Sequence, residues 1–417
     1  MPAAGPLVLG MGMTAQADDN TALGGIRVLD LCDAKGVYCT KLLAEMGADV
    51  VKIEPPGGDA TRAIGPFVHD VPHPERSLFF MHYNTSKRGV TLDIEAIDGQ
   101  KLFRRLIEKA DVLVETFPPG YLESLGFSYA AMRDINPGLI VASVTDFGQT
   151  GPYCHFKSSN LVACSLGGMV YTAGDVDTPP LVGYGNQAYH TASHFGAIGV
   201  LMALYHRSFT GEGQQIDISM QEAIAAIIEH TAVRYFNEGV VAKRQGTLHW
   251  SLGFRVFETR DGHALISLRQ RWDDVVAWLD SEGIAEDLTD PMYDDLEFRK
   301  VNILHIIDVL AAFARTKTTD ELVEFGQLIR LPFGKVRNVE ELVDDEHLLE
   351  RGFWVPVEHP EIGAIFNYPG APFKAHGSPW RLKHRSPLIG EHNLEVYRGE
   401  LGLSDEEMAM LRQCGVI

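Results

Sequence analysis

The sequence predicts an α/β protein built on a doubly wound parallel sheet, with a smaller α+β domain beside the large one. Three observations predict it. Up to residue 147, short runs rich in Val, Ile and Leu alternate with stretches of helical apolar spacing, the pattern of parallel strands joined by helical crossovers. Beyond Gly151 the character changes to longer helical stretches. At 417 residues, the chain also exceeds the size at which a single core stops growing.

Taken in order, 26–31 (IRVLDL) reads as a strand, 37–48 as a helix ending at Gly47, and 49–54 (DVVKIE) as a buried strand closed by Pro55, Pro56, Gly57 and Gly58. Two strands with a helix between them lie parallel. The alternation continues with a strand at 89–94, a helix at 98–110, a strand at 111–117, a helix at 129–136 and a strand at 139–147. Such a sheet places its ligand crevice at the carboxyl ends of the strands. Helices are expected over 160–172 and 188–208, the second rich in small and apolar residues and therefore buried. A strand within 211–220 leads into a helix over 221–240, and 254–268 (FRVFETRDGHALISL) contributes strands to the smaller domain. The expected organisation is a mobile arm at 1–24, a large domain formed by 25–227 and 331–417, and a small domain at 228–330. Within the arm, Gly10-x-Gly12-x-x-Ala15 imitates a dinucleotide fingerprint, but no helical apolar stripe follows to present an N-terminus to phosphate.

Charge and composition narrow the function classes. With 56 acidic against 36 basic residues, the net charge of -20 repels nucleic acid and anionic lipid alike. No apolar run reaches the roughly 18 residues that would span a bilayer, and the start carries no basic segment, so a cytoplasmic location is expected. Five scattered cysteines without a C-x-x-C pair argue for reduced thiols. The sixteen histidines form no H-E-x-x-H cluster, and no G-x-S-x-G elbow is present. Neither a metal nor a prosthetic group is expected. An anionic small molecule needs a local basic cluster, and Lys52, Arg62, Lys87 and Arg88 stand beside strand ends or Gly/Pro turns where such a cluster belongs.

Six segments, in order, carry a resemblance: RVLDL…KLLAEMGADVVKIEPPGGDATR, NTSKRGVTLDI, ADVLVETFPPGYLESLGF, INPGLIVASVTDFGQTGPY, LYHRSFTGEGQQIDISMQEA and SPLIGEHN. Over roughly 25–417 the chain resembles the class III CoA-transferases, the family of formyl-CoA and carnitine CoA-transferases, with the acyl-CoA racemases as relatives. The resemblance implies coenzyme A or an acyl-CoA as substrate, an interlocked dimer, and a coenzyme site flanked by Lys52, Arg62, Lys87, Arg88 and Phe117. It also implies a catalytic aspartate that accepts the acyl group as an anhydride and then becomes a thioester.

That aspartate is absent. Its place, ten residues after Pro179-Pro180 and eighteen before Arg207, holds Tyr189, whose phenol is mostly protonated at neutral pH where a carboxylate is ionised. His190 beside it could activate a tyrosinate or simply be structural. Relative to formyl-CoA transferase, Asn160 replaces an acid, Thr116 an Asn, Ser124 an Arg and Asp146 a Gly; the racemases' His and Asp pair falls on Ser159 and Tyr189. Among thiols, Cys164 lies in an apolar helix and Cys154 has no assignable partner. Three readings stand: the catalytically inactive subunit of a heterodimer or heterotetramer, paired with an active paralogue as in the two-subunit (R)-benzylsuccinate CoA-transferases of anaerobic aromatic degradation; a self-sufficient transferase with another nucleophile; and a CoA-ester-binding protein without turnover.

Overall fold

The computed structural model describes residues 20–246, 248–249, 254–268 and 271–417. The expected arm, except for 20–24, and the Gly10/Gly12 pattern lie outside the described residues. Residues 21–24 form a turn against the body: Leu23 is buried and its N–H donates to Met46 O.

β1 (Arg27–Leu31), α1 (Val37–Glu45) and β2 (Asp49–Glu54) form the first β-α-β unit. A short helix α2 (Leu78–Tyr83) leads to β3 (Arg88–Thr91), and α3 (Ile97–Glu108) crosses to β4 (Val112–Glu115). After α4 (Tyr121–Ser124) and α5 (Tyr129–Ile135) comes β5 (Ile140–Thr145). These strands and β6 (Gln215–Ser219) make one six-stranded sheet in the order β3-β2-β1-β4-β5-β6, parallel throughout. The strands of the centre are buried along nearly their whole length, as a sheet covered on both faces requires. One core packs Leu29, Val51, Val90, Leu113 and Val141 against Phe103, Leu106 and Tyr397.

Two helices expected as continuous are interrupted. The stretch 160–172 divides into α6 (Asn160–Leu166) and α7 (Met169–Thr172) because Gly168 adopts φ +90, a left-handed conformation available to glycine. α8 (Gln187–Thr210) forms as expected and packs on α1, with Ala188, Ala192, Gly196, Ala197 and Ala203 on its buried face. The stretch 221–240 divides into α9 (Met220–Ile227) and α10 (Thr231–Glu238), with Glu229 at φ +54 between them. The first break coincides with Gly167-Gly168, a turn signal inside the helical stretch.

The contacts divide the chain into two units, one comprising 1–167, 184–227 and 351–417, the other 168–183 and 228–350; the second was expected as 228–330. Within the second, strands β7 (Leu248–His249), β8 (Phe254–Glu258), β9 (His263–Ser267) and β10 (Gly334–Lys335) form an antiparallel sheet ordered β10-β9-β8-β7. Helices at Trp272–Ser281, Ile303–Ala314 and Thr319–Leu328 cover it, with Trp278 packed between Phe313 and Phe325. A last hairpin, β11 (Trp354–His359) and β12 (Ala364–Pro369), belongs to the first unit.

Candidate active site

The strand order reverses between β1 and β4, and the crevice of an open parallel sheet forms outside the carboxyl ends at such a point. The loop after β1 runs through Asp33, Lys35 and Gly36 into α1. The loop after β4 begins with Thr116 and Phe117, and Asp146 follows β5. The first two loops touch: Asp33 N–H donates to Thr116 Oγ1 at 2.8 Å, and a Cβ on Gly36 would lie 2.7 Å from Thr116 Cγ2. Only glycine permits that approach.

Tyr189 lies in the first turn of α8, half-buried. Its hydroxyl accepts the Asn160 N–H at 3.1 Å, while Asn160 Oδ1 accepts the Ala188 N–H at 2.9 Å and its Nδ2 donates to Gly185 O at 3.3 Å. Tyr189 and Asn160 therefore bond each other and clip the start of α6 to the start of α8. Burial, with the charges of Asp146 and Asp33, pushes the Tyr189 phenol above its ordinary value, against the Asn160 N–H and Lys35. It is a protonated phenol at neutral pH. Lys35 Nζ holds Asp33 Oδ2 at 2.8 Å; burial would lower its ammonium, but Asp33, Asp146 and Tyr189 together raise it. Burial also pushes the Asp146 carboxyl up, and Asp146 Oδ1 is buried without a hydrogen-bond partner. Thr116, Asp146, Asn160 and Tyr189 thus share one neighbourhood with Asp33 and Lys35. Ser124 does not: its hydroxyl donates to Tyr121 O on α4.

Glu115 adds a second unusual carboxyl. It is 5% exposed, and burial pushes its pKa up to about 7, although the Phe117 N–H at 2.7 Å and the Ser143 hydroxyl both favour the charged form. Sequence reasoning singled out neither Glu115 nor the Asp33–Lys35 pair. The available signal was their position at strand ends, where charged residues interrupt apolar runs.

The expected coenzyme cations lie beneath or away from this crevice. Lys52 and Lys87 are 0% exposed. Lys87 Nζ meets Asp30 Oδ2 at 2.9 Å, Thr40 Oγ1 at 2.8 Å and Asn84 Oδ1 at 2.9 Å; Lys52 Nζ bonds Cys32 O and reaches Asp59 Oδ2 at 3.2 Å. Burial alone would raise the Asp30 carboxyl, but Lys87 and Lys52 hold it at about 2. Arg62 is 2% exposed, forked onto Glu54 at 2.6 and 2.7 Å and stacked over the Phe80 ring at 3.7 Å. Arg88 stands at the amino end of β3, bonded to Asp49, Glu395 and Glu400. Phe117 alone of the five sits at the crevice, half-buried and 4.5 Å from the Tyr121 ring. The four cations are met by carboxylates of the fold itself, and the structure does not gather them into one open pocket.

The remaining candidates resolve simply. His190 Nε2 lies 2.6 Å from the Tyr83 hydroxyl, with its ring against Tyr38, so its partner is not Tyr189. Ser159 caps α6, and Cys164 is 1% exposed within it. Among the described residues no helix is long and apolar enough to cross a membrane.

A sequence model described as CoA-transferase family III matches residues 23–393. The chain is 33% identical over 388 residues to the succinyl-CoA:(R)-benzylsuccinate CoA-transferase subunit BbsE of Thauera aromatica, covering 89% of this chain and 92% of that one. It is 35% identical over 417 residues to the formyl-CoA:oxalate CoA-transferase of Streptomyces avermitilis, covering 95% and 99%. The crystal structure of a CAIB/BAIF family protein from Brucella suis superposes with a TM-score of 0.83 at 28% identity, covering 92% of this chain and all of that one.

Proposed function

Since the chain belongs to CoA-transferase family III, whose substrates are CoA esters, we propose that it is the catalytically inactive subunit of a heteromeric transferase moving CoA between carboxylic acids, paired with a paralogue that keeps the aspartate. Tyr189 carries this reading. A nucleophile in this chemistry must accept an acyl group and then present a carbonyl to CoA thiolate; a protonated phenol bonded to Asn160 does neither. The relative named as a subunit of a succinyl-CoA:(R)-benzylsuccinate CoA-transferase supports the heteromer and points to succinyl-CoA and an aromatic dicarboxylate as the substrates of the complex.

The outer face of α8 supports a partner. Phe195, Ile198, Met202, Tyr205 and Phe209 recur at helical spacing and are all exposed, Phe209 to 72%. An apolar stripe of this length is ordinarily covered, and the interlocked dimer of the family gives it a cover. For the coenzyme, Lys52 and Lys87 act through Asp30 as positioning residues for the loop after β1. Phe117 and the Asp33–Gly36 loop are the surface that meets a CoA ester. Co-purification from the native host and mass spectrometry of the intact complex test the assignment. A second chain of similar size carrying the aspartate is the expected result; a clean homodimer with full turnover overturns it.

One observation favours a self-sufficient enzyme: Asp146 brings a carboxyl into the Tyr189 neighbourhood. Acyl trapping on a peptide containing Asp146, in the chain alone, would establish that reading instead.

A further inference from the structure

In a chain of net charge -20, a cavity of about 560 Å³ among the described residues is lined by Arg351, Lys374, His376 and Arg381 and by no carboxylate. Their side chains make no ion pair with any described residue. The contrast with the adjoining cavity of about 410 Å³ is informative, because Arg385 there is held by Glu361 and Glu391. Unmatched cations repel one another, and an anion relieves that repulsion.

The floor is aromatic and fixed. Phe373 and Trp380 line the same cavity and meet edge to face, ring centroids 5.2 Å apart. Trp380 Nε1 donates to Glu45 Oε2 at 2.9 Å, and the Arg381 N–H donates to Glu45 O at 2.9 Å. Glu45 is 1% exposed, and its other oxygen is taken by Lys41 and Thr85, so it orients the indole without cancelling the cations above it. The cavity adjoins the carboxyl end of α1, whereas the strand-end crevice lies at the amino end, about 12 Å away along the helix.

We propose that this cavity binds a nucleoside diphosphate, with the base against Trp380 and Phe373 and the phosphates among Arg351, Lys374 and Arg381. Three permanent cations and one histidine match a multiply charged phosphate better than a monocarboxylate, and guanidinium forks suit phosphate oxygens. The volume falls within the usual range for small-molecule sites. The inference does not depend on the reading of Tyr189.

Calorimetry of the full chain with ADP, adenosine and inorganic pyrophosphate tests it at low salt. ADP is expected to bind with Kd of roughly 0.1 mM or tighter, and each of the other two about tenfold or more weakly. The paired substitution Lys374→Ala and Arg381→Ala should weaken ADP by about tenfold or more while leaving the thermal transition unchanged, since both side chains are exposed and unpaired. Phe373→Ala should weaken ADP but leave pyrophosphate unaffected. No heat with ADP at millimolar concentration overturns the proposal. So does ADP binding that survives the paired substitution, which would place the nucleotide at the strand-end crevice, or tighter binding of benzoate than of ADP.

Discussion

Replacing Tyr189 by the family's aspartate, Tyr189→Asp in this chain alone, should not restore transferase activity. The phenol is half-buried, so its removal withdraws roughly 100 Å² of apolar contact, about 2.5 kcal/mol at 25 cal/mol per Å². The shorter side chain also leaves the Asn160 N–H without its acceptor, about 1 kcal/mol more. A loss of stability of about 2 to 4 kcal/mol follows. The new carboxylate would share its surroundings with Asp33 and Asp146, which already raise the Tyr189 phenol, and like charges raise a carboxyl pKa and so lower its ionised fraction. Catalytic groups act as a unit, and on the reading proposed above Asn160, Thr116 and Asp146 line this neighbourhood in place of catalytic-site residues. Steady-state CoA transfer from succinyl-CoA by the purified single variant should fall below about 1% of an ordinary family member, a deficit of about 2.7 kcal/mol in the barrier. Hydroxylamine trapping should leave the peptide 184–207 unmodified. Turnover comparable to ordinary members would refute the argument, showing that one carboxylate suffices and the surrounding changes only tune specificity.

Three further outcomes follow from the same geometry. Asp30→Asn strands the buried ammonium group of Lys87, while Lys52 keeps Asp59, and should cost about 3 to 5 kcal/mol in urea unfolding; in the native chain the Asp30 contribution is present above pH 4 and lost as pH falls through about 2, because its folded pKa lies below the unfolded 3.8. Glu115 runs the other way: its folded pKa of about 7 exceeds the ordinary 4.5, the unfolded chain releases that proton first, and stability falls as pH rises between those values. Glu115→Gln should abolish that part of the slope between pH 5 and 7.5, and an unchanged slope would remove Glu115 as its cause. Met202→Asp on the exposed stripe should leave the folded chain intact by circular dichroism but abolish its assembly in size-exclusion chromatography; an unaltered oligomer would show that the stripe is not the covered face.

Within the first unit, the sequence determined the layered α/β architecture, because a strand buried on both faces needs a near-continuous apolar run and a crossover helix needs a 3.6-residue stripe. LIVASVT shows that directly, and RVLDL and DVVKIE keep the run around the buried charges of Asp30 and Lys52. That Tyr189 stands ten residues after Pro179-Pro180 and eighteen before Arg207 was equally legible, and on it the proposed loss of the nucleophile rests. What tertiary structure decided was the fate of charge. Lys52, Lys87, Arg62 and Arg88 read as cations available to a ligand, yet each is matched by carboxylates of the fold: Lys52 by Asp59, Lys87 by Asp30, Arg62 by Glu54, and Arg88 by Asp49 and Glu400. Arg351, Lys374 and Arg381, in a segment without any motif, are left unmatched instead. Glu115 acquires its high pKa from the burial that packing imposes, and Tyr189 acquires Asn160 as partner only because α6 and α8 start side by side. Periodicity is a local property of the chain, whereas pairing and desolvation of charge depend on which distant segments meet, and that is settled only when the chain is folded.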